Sequence, residues 1–198
     1  VYQEWALDNP KSDITDGLTV YWSFDNGLEA TAGGAGFNAI SHNGAGIDNE
    51  GRFGSSAFFD RDDQQYLQIT NPVITQGQDH TYSLWHRTAF SGNMPEGPRY
   101  FPMESTGSIA ISYGLRNFDG DGLDTQGQVY TVGASGSVNR TFDQSQFEER
   151  WNNIIVTYDA SEARHTIYFN GNYQTDFGSS NPLLDTTGLI IGGHRDGT

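Results

Sequence analysis

The sequence contains no cysteine and a single lysine, Lys11. Without thiols there is no disulfide frame, no thiol nucleophile and no cysteine-bound metal. Lysine and arginine together number 10 against 25 aspartates and glutamates, for a formal net charge of -15. That balance repels phosphate backbones and anionic lipid, so nucleic acid and membrane surfaces are poor partners. It favours divalent cations, which carboxylates attract. No run approaches the 18 apolar residues of a spanning helix, so no membrane insertion is expected.

What is abundant is glycine (25), with 12 Phe, 10 Tyr and 4 Trp in 198 residues. Glycine and aromatics in quantity, with little lysine, point to a β-rich, extracellular protein. The first residue is Val1, which fits either a removed signal peptide or a trimmed start; a secreted, extracellular or surface-associated location is the expectation. The length suits one sizeable domain, which buries roughly 70% of its unfolded surface and needs no metal or disulfide to fold.

Apolar alternation with turn punctuation recurs along the chain, and a helical period is almost absent. The pattern predicts strands at Leu18–Phe24, Ser56–Asp60, Tyr66–Thr70, His80–Thr88, Arg99–Glu104 and Ser108–Leu115. Further strands are predicted at Gln128–Val132, Val138–Phe142, Asn153–Tyr158, His165–Phe169, Tyr173–Phe177 and Gly188–Gly192. Asn170-Gly171 is the strongest hairpin signal, because both central residues of a type I′ turn need positive φ. Asp143 is a candidate N-cap for one helical turn reaching Arg150. Residues 1–16 read as a polar arm or linker and 17–198 as one all-β antiparallel sandwich. Alternation places Val20, Trp22 and Phe24 on one face, with Ile154, Val156 and Tyr158 on another; Ile167 and Phe169 join them in the inter-sheet core.

Four stretches, in order, resemble the laminin-G-like, concanavalin-A-like jelly-roll family. They are "GLTVYWSFDNG" (Gly17–Gly27), "GRFGSSAFFDRDDQQYLQI" (Gly51–Ile69), "RWNNIIVTYDASEARHTIYFNGNYQ" (Arg150–Gln174) and "GLIIGGHRDG" (Gly188–Gly197). The resemblance implies a jelly roll and leaves function open, since the fold hosts lectins, glycosidases, lyases, adhesion modules and capsid decorations. Family members usually continue past the Gly-Gly loop into one more strand beside the opening strand; that strand is missing here. The gap has three readings: a longer parent protein, the N-terminal arm folding back, or a strand donated by another subunit. Tyr2, Trp5 and Leu7 give the arm apolar residues to bury.

The resemblance also implies a structural Ca²⁺ at Asp25, with Asn26 or Asn38 adding oxygens; the alternative is an Asx-turn. Pentraxin-like relatives imply calcium oxygens near Asp60, Asp62 and Asp63, against a solvated acidic turn. Asp119, Asp121 and Asp124 resemble part of a calcium loop or form an acidic hairpin tip; they lack the EF-hand spacing. For ligands, Tyr100, Phe101, Phe118 and Tyr130 are candidates to stack on sugar rings, with core packing as the alternative. His194, Arg195 and Asp196 are candidate ligand contacts in the last loop, and Asn93–Pro102 is a stiff loop suited to a contact surface. There is no nucleophile elbow, no zinc-type histidine spacing among His42, His80, His86, His165 and His194, and no laminarinase-like Glu-x-Asp-x-x-Glu pattern. No catalytic residue is therefore expected. The reading is a secreted, non-catalytic recognition or adhesion module for carbohydrate or a surface protein, with calcium. The alternative is a subunit of an extracellular or virion assembly completed by strand or arm exchange; third comes a polysaccharide-active enzyme.

Overall fold

The computed structural model describes residues 17–60, 62–75, 77–87, 99–107, 112–117, 125–130, 150–178 and 186–193. Its strands are β1 (Ile40–His42), β2 (Gly46–Asp48), β3 (Ser56–Phe58), β4 (Tyr66–Ile69), β5 (His80–His86) and β6 (Arg99–Gly107). They continue as β7 (Ser112–Asn117), β8 (Thr125–Tyr130), β9 (Asn152–Asp159), β10 (Arg164–Phe169), β11 (Asn172–Gly178) and β12 (Thr186–Ile191). One 3-10 turn, Ala35–Phe37, is the helical element among the described residues. A six-stranded sheet has the order β1-β4-β12-β6-β7-β8, a second sheet the order β11-β10-β9-β5, and β2-β3 form a small ribbon. Every described ladder is antiparallel. The chain is all-β, with the predicted sandwich layers.

The period-2 pattern explains the core. Along β9, Asn152, Ile154, Val156 and Tyr158 are buried, and β10 matches them with His165, Ile167 and Phe169. Leu67 and Ile69 of β4 are buried, as is Leu189 of β12, opposite Ile69. Each fully buried Ile or Leu contributes roughly 1.5–3 kcal/mol by leaving water. The β10–β11 turn forms as the dipeptide predicts, with φ 50° at Asn170 and 78° at Gly171. The Asn170 carboxamide accepts from the Asn153 N–H at 2.8 Å and donates to Asn152 Oδ1 at 2.9 Å, tying the hairpin to β9.

The Gly-Gly pair after β12 has a packing cause. Gly192 sits at φ 81°, and a Cβ there would run into the Phe59 ring. A Cβ on Gly193 would lie 2.8 Å from Tyr66 Cβ. Two missing side chains let the chain turn directly over these aromatics.

Several expectations are corrected. Leu18–Phe24 is not a strand: it makes one isolated bridge, Tyr21 with Ala32, and Trp22 Nε1 donates to the Phe37 carbonyl at 2.8 Å. Its alternation is strand-like, but alternation fixes a face and does not supply a neighbour to pair with. The short β1 and β2 were not expected, because three residues flanked by Gly and Asn carry no period. β7 and β8 are displaced from the expected Ser108–Leu115 and Gln128–Val132. Val138–Phe142 and the turn starting at Asp143 lie outside the described residues, as do residues 1–16.

Candidate functional site

Among the described residues, the β5 side of the sandwich is open. β5 ends its sheet, pairing with β9 and no other described strand. Between β5 and the Gly17–Phe24 segment lies a cleft of about 1050 Å³. Trp22, Phe24, Phe59, Tyr82, Leu84 and Ile191 are among its lining residues. These apolar groups pack against the core yet remain only partly buried.

Polar atoms in the lining are unusual. The Tyr82 hydroxyl and His80 Nε2 are buried without a hydrogen-bond partner. Burial, which disfavours the charged form, pushes the Tyr82 pKa up and the His80 pKa down. The same cause lowers His86 to about 3. His165 falls to about 4, through burial first and the neighbouring His80 second. Tyr158 links two of these rings, 5.2 Å from His80 and 4.6 Å from His165. Burial thus disfavours the charged form of all three histidines.

One end of the cleft carries aromatics and cations. Parity sends Thr81, Ser83 and Trp85 of β5 to the face opposite Tyr82 and Leu84. Trp85 is 42% exposed and Phe53 65% exposed, with ring centroids 5.8 Å apart in an edge-on arrangement. The Arg52 guanidinium carbon lies 4.9 Å from the Phe53 centroid and 5.3 Å from that of Trp85. Arg87 lies 5.3 Å from the Trp151 centroid and 3.8 Å from Glu50. Flat apolar faces beside forked donors suit a ring that carries C–H groups on its faces and oxygens on its rim. At the other end, Asp79 Oδ1 accepts from the Ala160 N–H at 2.8 Å, and Asp159 accepts from the Ser161 hydroxyl at 2.7 Å. The Ser161 hydroxyl is the main cause that lowers the Asp159 pKa.

Trp85 also borders the outer face of the four-stranded sheet. There Tyr168 and the exposed Tyr173 meet edge-on at 6.2 Å, and Arg164 pairs with Asp176 at 2.8 Å.

Asp25 makes a backbone contact. Its Oδ1 accepts from the Ser55 N–H at 2.8 Å, and Gly54 packs so closely that a Cβ there would strike the carboxylate. Asn38 Oδ1 accepts from the Ala30 N–H at 3.0 Å. Asn26 lies in the Asp25–Leu28 turn. Asp60 Oδ1 accepts from the Asp62 N–H at 2.9 Å, an Asx-turn, with Asp63 in the same turn. No group of three His, Asp or Glu side chains comes together among the described residues. Calcium takes six to eight oxygens, and these residues do not fit it by themselves. Asp119, Asp121, Asp124, Phe118, His194, Arg195 and Asp196 lie outside the described residues, and Tyr100, Phe101 and Tyr130 fall in β6 and β8, described by backbone position. The sequence reading missed the Arg52–Phe53–Trp85 cluster. Its available signal was an aromatic at 85, on the polar side of an alternating strand.

The layers and open edge define a concanavalin-A-like antiparallel sandwich. The concanavalin A-like lectin/glucanases superfamily matches residues 61–198, and the chain belongs to that family. No curated protein matches the chain. Among solved structures it resembles domain 4 of an extracellular GH43 arabinanase from Geobacillus stearothermophilus, in complex with arabinotriose. That match has a TM-score of 0.60 and 15% identity, and covers 89% of this chain and 84% of the other. It also resembles the binding domain of botulinum neurotoxin DC in complex with SialylT, at a TM-score of 0.55 and 15% identity. There it covers 84% of this chain but only 42% of the other.

Proposed function

We propose that the chain is a carbohydrate-binding module that acts outside the cell without catalysis of its own. The observation that carries this reading is the exposed Phe53–Trp85 pair with Arg52 stacked across it at the end of an open cleft. Solvent-exposed aromatics normally bury when a protein lets them; here they are held in place by an arginine and left facing water. The two similar solved domains, each described in a sugar complex, support the same reading.

Affinity electrophoresis through gels containing single polysaccharides tests the proposal. At least one polysaccharide should retard the protein, and Trp85→Ala should abolish most of that retardation while the protein stays folded. Unchanged migration in every gel rejects it.

A second reading rests on the one-sided pairing of β5: an extended segment from a neighbouring subunit adds beside it and makes an assembly. Native particle size separates the two, since this second reading requires an oligomer.

A further inference from the structure

We infer that the mouth of the cleft selects an acidic saccharide, one whose ring carries a carboxylate or sulfate; this rests on the carbohydrate-binding reading above. The chain has only 10 basic residues against 25 acidic ones, yet two arginines stand on aromatic rings at this one end of the cleft. Their surroundings differ. Arg87 has Glu50 at 3.8 Å, a distant and exposed pairing. Arg52 forms no ion pair among the described residues; its contacts are the faces of Phe53 and Trp85.

A guanidinium spread over two rings keeps its edge donors free. It remains a fork suited to two oxygens of one anion. The rings beside it offer apolar area for the sugar C–H face. A neutral sugar would use the rings and leave the fork solvated; an acidic sugar would use both. The net negative charge of the protein opposes an anion at long range. Distant charges are screened beyond about 8 Å at physiological salt, whereas the fork acts in contact. β5 runs alongside the cleft for seven residues, roughly 23 Å, enough for several sugar units, and its far end carries Asp79 and Asp159. An anionic group therefore has one preferred end, which fixes the direction of the bound chain.

The test is calorimetric titration of the full chain with oligogalacturonate, a sulfated galactan oligomer and neutral galactan of matched length, in about 50 mM and about 500 mM salt. One or both acidic probes should bind roughly tenfold tighter than the neutral one at low salt, with the gap shrinking at high salt. Arg52→Gln should bring acidic and neutral probes to equal affinity, the acidic ones losing roughly tenfold more than the neutral one, while Phe53→Ala weakens all probes alike. Arg52→Lys should recover only part of the preference, because the ammonium is a point charge without the fork. The oligogalacturonate and sulfated arms identify which anion is taken. Equal binding of acidic and neutral probes, or a preference that survives Arg52→Gln, overturns the inference and leaves carbohydrate binding intact. No binding of any probe, with no retardation in the polysaccharide gels, overturns both.

Discussion

The two sides of the sandwich use the same alternation and reach different ends. On the closed side, Ile154 and Val156 of β9, Ile167 of β10 and Leu67 and Ile69 of β4 are fully buried. Where β5 faces the Gly17–Phe24 segment, Tyr82, Leu84, Trp22 and Phe24 line a cleft of about 1050 Å³. An apolar residue at an inward position is buried only if an opposing element comes close enough to cover it. On the first side the sequence pattern is converted into stability. On the second it is left as surface that a ligand or a strand can use.

Acid should strain the buried histidines most, one beside the cleft and one in the closed core. His86 and His165 have folded pKa values lowered to about 3 and about 4 from an ordinary 6.5. The unfolded chain therefore binds more protons than the folded one below 6.5. Stability is complete above that pH and is lost as pH falls toward the folded values. The loss should amount to several kcal/mol in denaturant titrations between pH 7 and pH 4, at about 1.4 kcal/mol per unit for each ring. Replacing His165 with Leu or Phe should flatten that dependence.

Truncation compares the two sides directly. Ile154→Ala empties a fully enclosed position and should cost about 3–4 kcal/mol. Leu84→Ala, beside the cleft, removes a side chain that solvent already reaches and should cost about 1 kcal/mol. Equal costs in urea unfolding would mean that the cleft side is covered in solution, as strand addition requires.

A smaller effect concerns Asp25. As a clasp on the Ser55 N–H, its replacement by Ala should cost about 1 kcal/mol, by the same amount with calcium or with chelator present. A melting midpoint that falls on chelation would instead place a bound ion in the folded protein.

The sequence made the closed side legible almost residue by residue. Ile154, Val156, Tyr158, Ile167 and Phe169 are inward as alternation predicts, and Asn170-Gly171 makes the expected turn. The family signature "IIGG" also has a visible cause, in Gly192 and Gly193 packing on Phe59 and Tyr66. The open side was read less well. Leu18–Phe24 alternates like a strand, yet pairing is a property of two segments and cannot be seen in one. The candidate site was missed for a related reason. Arg52, Phe53, Trp85 and Arg87 are brought together across more than 30 residues by the β3 and β5 neighbourhoods, and no local spacing announces them. Asp25 shows the same limit. Its position after an aromatic, alternating segment resembles a calcium ligand, and no local spacing announces that its Oδ1 also accepts from a backbone N–H thirty residues away.

The central claim is that the open end holding Trp85 and Arg52 is where saccharide binds. The most direct measurement is the indole N–H spectrum of isotope-labelled protein titrated with whichever polysaccharide fragment retards it. The Trp85 and Trp151 signals should move with saturation, and the Trp22 signal, bonded to the Phe37 carbonyl, should stay. Saturating shifts that spare Trp85 and fall instead on the β10–β11 side of the sheet would contradict the account.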